Sequence, residues 1–375
     1  MEGMMFWIAC ATLLSLIASV FAALLVYRKL RQARIASTLT IESAQGIVEE
    51  RFVSIGGIDQ WISIRGQDHS NPVLLVIHGG PGSCYSIFTP HLRGWEKHFT
   101  VVQWDQRGAG KTFARRGSRD SGEISLKQLA SDGISVAEYL RARLHKERLF
   151  LLASSIGSTF GLQIARSRPD MFYAYIGTDQ NVGMVRGRDE NHRQVLDRLR
   201  THGLTKGVRA LERIGADPAL WTRNDYTAVA QWTMKSDPPG FRRTIKLLKS
   251  AVWYAPGWKL RDIRAFVVGM RFSLERLLPE IAQYDVWAQG THFELPIYIF
   301  QGETDVLTTP SMAKALFNDI VAPIKQMELI SGAGHFAAFL QPELFLGKLL
   351  TYVRPLAYSS GTKVVHTTDT GCHTS

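Results

Sequence analysis

Two hydrophobic patterns alternate along the chain. Apolar and polar positions alternate over 47–55 and 58–64, on either side of Gly56-Gly57, which predicts a β-hairpin. Continuous apolar runs predict strands buried on both faces of a sheet, and they lie at 73–77, 99–104, 148–153, 296–300 and 326–330. Helical spacing marks 126–144 and 344–353. Strands that alternate with helices predict an α/β fold with a mainly parallel sheet.

The pattern changes between residues 182 and 293. Helical segments dominate there, Gly and Pro interrupt them, and no core strand is evident. We interpret this block as a helical cap inserted between two strands of one sheet, whose core then comprises 47–181 and 294–355. Residues 356–375 are polar, and we expect them to form a disordered tail.

The N-terminal segment 4–27 contains no charged residue and is long enough to cross a bilayer. Arg28, Lys29, Arg31 and Arg34 follow it at once. A cleavable signal peptide has its positive charge before a shorter apolar core, so this segment favours an uncleaved anchor. A basic linker would then occupy 28–46. The positive-inside rule predicts a single-pass membrane protein whose remaining chain is cytoplasmic.

Composition excludes several classes of function. The formal charge is +11, but no helix-turn-helix, zinc-finger or RNA-binding signature accompanies it, so we expect no nucleic-acid partner. Cys10, Cys84 and Cys372 lie too far apart to indicate a disulfide or metal framework. The sequence around Gly110-Lys111-Thr112 resembles the end of a phosphate-binding loop, but Asp105 stands where that loop requires glycine.

The most informative stretch is 149–166, where an apolar run ends in two serines and a helical pattern follows. A sharp strand-to-helix turn around a nucleophilic serine needs small residues two positions before and two after it. Leu152 and Ile156 flank Ser154, whereas Ala153 and Gly157 flank Ser155. Ser155 is therefore the candidate nucleophile.

A serine nucleophile needs a base and an acid that orients the base. In α/β proteins that use a serine nucleophile, the acid and then the histidine follow the serine along the chain, each on a loop after a strand. Asp305 follows the strand at 296–300, with Glu303 as its rival, and the spacing Gly302-x-x-Asp305 favours Asp305. His335 follows the last strand within a glycine frame, Gly332-Ala333-Gly334, and is the candidate base.

The loop His78-Gly79-Gly80-Pro81-Gly82 follows the strand at 73–77. Such a loop exposes backbone N–H groups that can stabilise a developing oxyanion. We expect one donor from Gly80 or Gly79 and the other from Ile156. His78 is interpreted as a residue that shapes the loop.

These motifs together resemble the proline iminopeptidase branch of the α/β-hydrolases, peptidase family S33. The motifs are 78–82, Trp104-Asp105-Gln106-Arg107-Gly108, Ser155-Ile156-Gly157-Ser158, Gly302-x-x-Asp305 and Gly332-x-x-His335. The resemblance covers roughly 47–355 and is weak in the cap. It implies an α/β-hydrolase fold with a helical cap, no cofactor and no metal, and release of an N-terminal residue from small peptides.

Two positions depart from that family. Ala153 replaces the usual glycine of the elbow, and the cap lacks the Trp-Glu motif whose glutamate binds the amine of the substrate: here Trp232 is followed by Thr233. Other cap acids could take that role, namely Glu190, Glu212, Glu275 and Glu280. The prediction is a membrane-anchored serine hydrolase of the aminopeptidase type, with a carboxylic ester, lactone or lipid hydrolase as the alternative. The basic residues of the cap form either a solvated surface or a face held against anionic lipid.

Overall fold

A single sheet of eight strands carries the fold in the computed structural model, which describes residues 2–358. The strands are β1 (Ile47–Ile55), β2 (Ile58–Gly66), β3 (Val73–Ile77), β4 (Thr100–Asp105), β5 (Leu149–Ser154), β6 (Phe172–Thr178), β7 (Ile297–Gly302) and β8 (Lys325–Ile330). Their order is β1-β2-β4-β3-β5-β6-β7-β8. The pairs β1–β2 and β2–β4 are antiparallel, and the other neighbours are parallel. The predicted α/β class with a mainly parallel sheet is confirmed.

Helices connect the strands and cover the sheet. They are α1 (Glu2–Thr38), α2 (Gly110–Arg116), α3 (Leu126–Leu144), α4 (Gly157–Ser167), α5 (Arg188–Thr201), α6 (Thr205–Ile214), α7 (Arg223–Lys235), α8 (Pro238–Tyr254), α9 (Leu260–Gln283), α10 (Val286–Gln289), α11 (Pro310–Asp319), α12 (Ala337–Leu340) and α13 (Pro342–Lys348). A π-helical segment, Leu349–Val353, and a 3₁₀ turn, Arg354–Ala357, follow α13. Of the predicted tail 356–375, the residues from 359 onward lie outside the described part of the chain.

The central strands are buried on both faces, as their continuous apolar runs predict. Leu75 and Leu151 belong to one hydrophobic cluster, which also contains residues of α3, α4 and α11. Leu74 and Phe150 belong to a second cluster, on the opposite face of the sheet, which contains residues of α13 and the π-helical segment. Successive residues of a strand point to opposite faces, so each strand contributes to two cores.

One central strand was not predicted from the pattern. Strand β6 has the sequence Phe-Tyr-Ala-Tyr-Ile-Gly-Thr, in which aromatic and small residues replace the aliphatic run of its neighbours. It nevertheless pairs with β5 and β7 in the middle of the sheet. Aromatic residues are as suitable for strands as β-branched ones.

Six helices, α5 to α10, lie between β6 and β7, within the range 182–293 that the sequence assigns to a cap. Helix α9 lies against the loops at the carboxyl ends of the strands. The Ser273 hydroxyl donates a 3.0 Å hydrogen bond to the Gly108 carbonyl, and Phe272 packs on Phe113 of α2. A methyl group added at Gly82 would lie 2.7 Å from the Ser273 side chain, so this loop and α9 are in close contact.

Helix α1 is longer than the predicted anchor. It runs through the basic segment to Thr38, so the predicted linker 28–46 is helical over 28–38. Arg28 and Gln32 are buried, and they donate hydrogen bonds to the carbonyls of Trp253, Ala255 and Trp258. Carbonyls at and beyond a helix end lack intrahelical donors, and these two side chains satisfy them. This contact explains why the helix continues past the apolar segment.

The first part of α1 extends away from the rest of the molecule. Apart from Leu25, its large apolar side chains from Met4 to Tyr27 are more than half exposed. The helix is long and apolar enough to cross a membrane, a property that membrane spans share with signal sequences.

Candidate active site

Ser155 lies in a sharp turn between β5 and α4. Its φ angle is +54°, a left-handed conformation that is costly for a residue with a side chain. The Ser155 N–H donates to the carbonyl of Asp179 at 3.1 Å, which ties the turn to the end of β6. The strained turn lifts the hydroxyl above the carboxyl end of the sheet, the geometry of a nucleophile elbow.

The space around this turn requires small residues. A methyl group at Gly157 would lie 2.5 Å from the His78 carbonyl oxygen, and one at Gly79 would lie 2.7 Å from the Ser155 Cβ. Ala153 fits because Gly161, which faces it from α4, has no side chain: a methyl group there would lie 2.6 Å from the Ala153 Cβ. The alanine in the elbow is thus accommodated by a glycine one turn into the following helix.

The structure brings Ser155, His335 and Asp305 into one hydrogen-bonded row. His335 Nε2 lies 3.1 Å from Ser155 Oγ, and His335 Nδ1 lies 2.8 Å from Asp305 Oδ2. All three stand on loops that follow strands β5, β7 and β8. This arrangement can transfer the Ser155 proton to His335 while the Asp305 carboxylate fixes the tautomer of the imidazole.

Asp305, and not Glu303, contacts the histidine. Asp305 is buried, and its carboxylate also accepts hydrogen bonds from the backbone N–H of Leu307 and from the N–H and hydroxyl of Thr308. Glu303 points to the surface and accepts from Ser331 Oγ and the Gly332 N–H at 3.1 and 3.2 Å. It therefore holds the loop that leads to His335.

The two expected oxyanion donors have free N–H groups. Within residues 2–358, neither Gly80 nor Ile156 donates its backbone N–H to another protein group. The Gly79 Cα lies beside the elbow, since a methyl group on it would come within 3.2 Å of the Ile156 nitrogen. His78 holds this loop: its Nε2 accepts from the Gln106 N–H at 3.2 Å and its Nδ1 donates to the Gly79 carbonyl at 2.9 Å.

Asp179 is a buried carboxylate at this site that the sequence patterns missed. It accepts from Ser154 Oγ at 2.9 Å and from the backbone N–H groups of Phe336 and Ala337 at 3.1 and 3.3 Å. The Ser154 hydroxyl also contacts the Tyr85 hydroxyl at 2.8 Å. Asp179 therefore connects the turn that carries Ser155 with the loop that carries His335. Its position directly after a strand marks it as a candidate site residue, but this signal can be used only if β6 is recognised as a strand in the sequence.

The carboxylates set the charge state of His335. Burial lowers the pKa of His335, but the charges of Asp305 and Asp179 outweigh that effect and raise it to about 9. Burial raises the pKa of Asp179 to about 6, although the charge of His335 lowers it. His78 differs, because burial without a carboxylate neighbour lowers its pKa to about 4 and keeps its ring neutral.

Asp179, Asp305 and His335 place three possible metal-ligand atoms within 4.8 Å of one another. Each of these side chains is already engaged by protein groups: Asp179 by Ser154 and backbone N–H groups, and Asp305 by His335 and Thr308. A metal ion would have to displace those hydrogen bonds. The donor set fits a hydrogen-bonded network better than a metal centre.

The four cap glutamates are engaged away from Ser155. Their partners are Arg193 for Glu190, Arg200 for Glu212, Arg223 for Glu275 and the Leu126 N–H for Glu280. Trp232 packs on a separate cluster within the cap. Among the described contacts, none of these acids hydrogen-bonds to a residue of the elbow or of the oxyanion loop.

Residues 72–342 match the family model described as the alpha/beta hydrolase fold. The chain belongs to the α/β-hydrolase family. The family match, together with relatives named as peptidases, shows that this protein is a hydrolase.

The relatives of this α/β-hydrolase include proteins named as aminopeptidases. The chain is 28% identical over 323 residues to the "probable aminopeptidase YbaC" of Bacillus subtilis. This alignment covers 84% of this chain and 99% of that protein. The solved structure of proline iminopeptidase from Mycobacterium smegmatis superposes with a TM-score of 0.58 at 18% identity, over 83% of this chain and all of that one. A bacterial membrane phospholipase A superposes with a TM-score of 0.59 at 16% identity, over 92% and 98% of the two chains. At these identities the structural matches show the fold alone.

Proposed function

We propose that this α/β-hydrolase is a serine hydrolase in which Ser155 is the nucleophile, His335 the general base and Asp305 the acid that orients it. The position of His335 within hydrogen-bond distance of both other side chains supports this assignment most directly. The free N–H groups of Gly80 and Ile156 would then receive the oxyanion.

The reaction follows from these positions. Ser155 Oγ attacks the substrate carbonyl carbon while His335 Nε2 takes its proton, and the carbonyl electrons move to the oxygen held by the two N–H groups. When the tetrahedral intermediate collapses, His335 gives the proton to the leaving nitrogen or oxygen, and the acyl group remains on Ser155. Water, deprotonated by His335, then attacks the acyl carbon; the bond to Ser155 Oγ breaks, His335 returns the proton to that oxygen, and the acid is released.

We propose a free N-terminal residue of a small peptide as the substrate. Support comes from the relatives: the "probable aminopeptidase YbaC" of Bacillus subtilis is matched over 84% of this chain, and proline iminopeptidase of Lactobacillus delbrueckii is 23% identical over 306 residues. Recognition of the cationic amine needs an acceptor, because a buried uncompensated charge is costly.

The engagement of the cap glutamates favours a second candidate, a carboxylic ester, lactone or lipid. Glu190, Glu212 and Glu275 are paired with arginines, and Glu280 accepts a backbone N–H. An ester or lactone carries no cationic amine, so it needs none of these carboxylates. The chemistry at Ser155 would be unchanged.

We also propose that α1 anchors the enzyme in a bilayer, with the hydrolase domain in the cytoplasm. The exposed apolar length of α1 supports the anchor, and the basic residues from Arg28 to Arg34 support the orientation. Extraction of cell membranes with alkaline carbonate tests the anchor, since a spanning protein stays in the pellet. Protease treatment of sealed vesicles tests the orientation.

A substrate panel separates the two candidates. Purified enzyme is assayed with prolyl and alanyl arylamides, with the same arylamides acetylated on nitrogen, and with short-chain acyl nitrophenyl esters. An aminopeptidase hydrolyses the free arylamides and loses most of that activity on acetylation. Hydrolysis of the esters alone, or indifference to acetylation, contradicts the aminopeptidase proposal and supports the ester hydrolase.

A further inference from the structure

One face of α8 presents cations that have no acidic partner. Arg242, Lys246 and Lys249 recur at intervals of three or four residues and are all exposed. Within residues 2–358, none of the three forms an ion pair or a side-chain hydrogen bond. Elsewhere in the cap, Arg188, Arg193 and Arg200 do have carboxylate partners. The α8 face is therefore a local source of uncompensated positive charge.

The charge imbalance extends into α9. Between residues 238 and 273 the sequence contains a single acid, Asp262, which is used at the start of α9, where it accepts the Lys259 N–H at 2.7 Å. The same interval contains the basic residues Arg242, Arg243, Lys246, Lys249, Lys259, Arg261, Arg264 and Arg271. Such a concentration of positive charge fits an extended anionic partner better than a single bound anion.

The carboxyl end of α8 contacts α1 at the point where the apolar part of α1 ends. The rings of Tyr27 and Tyr254 lie 6.3 Å apart, and the Arg28 guanidinium lies 5.2 Å from the centre of the Trp253 ring. Arg31 lies over Tyr254 at 5.6 Å. If α1 spans a bilayer up to Tyr27, the carboxyl end of α8 lies at the surface of that bilayer.

The same face of α8 forms an open cleft of about 550 Å³. Its lining combines Phe241, Ile245 and Trp253 with the three cations. Trp253 is 36% exposed although it is large and aromatic, and Leu260 at the start of α9 is 46% exposed. Aromatic and aliphatic side chains beside lysines are typical of surfaces that insert between lipid headgroups.

We propose that this face of α8, defined by Arg242, Lys246, Lys249 and Trp253, binds the anionic phospholipid headgroups of the membrane that holds α1. The lysines and the arginine contact headgroup phosphates, and Trp253 enters the interfacial layer. The proposal rests on the membrane anchor put forward under Proposed function, and it adds a lipid preference and a fixed position of the cap at the bilayer surface.

The test uses the full-length chain in lipid nanodiscs. A bimane dye is attached at Ser250→Cys, on the same face of α8, in a Cys10→Ser/Cys372→Ser background in which Cys84 stays buried. The discs contain phosphatidylcholine alone or a mixture with phosphatidylglycerol, and both include a lipid with a nitroxide on its headgroup. We expect quenching to be about twofold stronger in the anionic discs and to decline in about 1 M salt, where the Debye length is about 3 Å.

Charge-neutralised variants complete the test. Lys246→Gln/Lys249→Gln removes two charges from the face and should abolish the extra quenching. Lys206→Gln/Arg209→Gln removes two exposed charges with the same spacing from α6 and should preserve it. Equal quenching in the two kinds of disc, or equal effects of the two double variants, overturns the proposal. Failure of the chain to enter phosphatidylcholine discs would instead contradict the anchor.

Discussion

Asp179 accepts a 2.9 Å hydrogen bond from Ser154, the residue immediately before the proposed nucleophile. Its other carboxylate oxygen accepts the N–H groups of Phe336 and Ala337, immediately after the proposed base. One buried side chain thus spans the two loops whose separation sets the contact between Ser155 and His335. We interpret Asp179 as a positioning residue.

Replacement of Asp179 by alanine should lower kcat by about tenfold or more, because small displacements of catalytic groups are costly. The substitution removes all three hydrogen bonds and leaves two backbone N–H groups without a partner. Asp179→Asn keeps an oxygen acceptor and should retain most of the maximal rate. Steady-state kinetics at the optimal pH of each variant make the comparison, and equal losses in the two variants would contradict a positioning role.

The pH profile should reflect the raised pKa of His335. The imidazole must be neutral to accept the Ser155 proton, so kcat/KM should fall as the pH decreases through about 9, the value that the two carboxylates produce against the effect of burial. Asp179→Asn removes one of these negative charges and should move the midpoint down toward the ordinary 6.5. An unchanged midpoint in this variant would show that Asp179 does not act on His335 electrostatically.

Asp305 and Glu303 should differ sharply on substitution. Asp305→Asn removes the charge that holds the imidazole in its active tautomer and should lower kcat by about 10³ to 10⁴, the magnitude typical of such a change. Glu303→Gln alters only a surface loop contact and should stay within about threefold of wild type. Circular dichroism of both variants checks folding. A larger loss in the Glu303 variant would reverse the assignment.

The contact of α1 with the cap should depend on Arg28. Arg28→Ala removes two 2.9 Å hydrogen bonds, to the carbonyls of Trp253 in the last turn of α8 and of Trp258 beyond it, and should expose the segment 28–40 to trypsin, with cleavage several-fold faster. Arg34→Ala also removes one basic residue, but Arg34 is exposed, so cleavage should stay at the wild-type rate. Equal rates in the two variants would argue against a fixed α1.

The sequence predicted those features that local chemistry determines. Small residues at 153 and 157 indicated the elbow. Asp305 and His335 each follow a buried strand, and this position indicated the acid and the base that the structure brings to Ser155. Asp179 was missed because β6 is aromatic and contains Gly177, so its end was not recognised. The extension of α1 was missed for another reason: the partners of Arg28 are more than 200 residues away in the chain, and no local pattern records a contact over that separation.

Active-site labelling tests the central claim most directly, because the two adjacent serines provide a matched control. A fluorophosphonate probe should label the wild-type enzyme and Ser154→Ala, the latter more slowly since Ser154 supports the turn. Ser155→Ala should not be labelled at any probe concentration that labels the wild type, and peptide mapping should locate the adduct on Ser155. Equal labelling of Ser155→Ala and the wild-type enzyme would contradict Ser155 as the nucleophile.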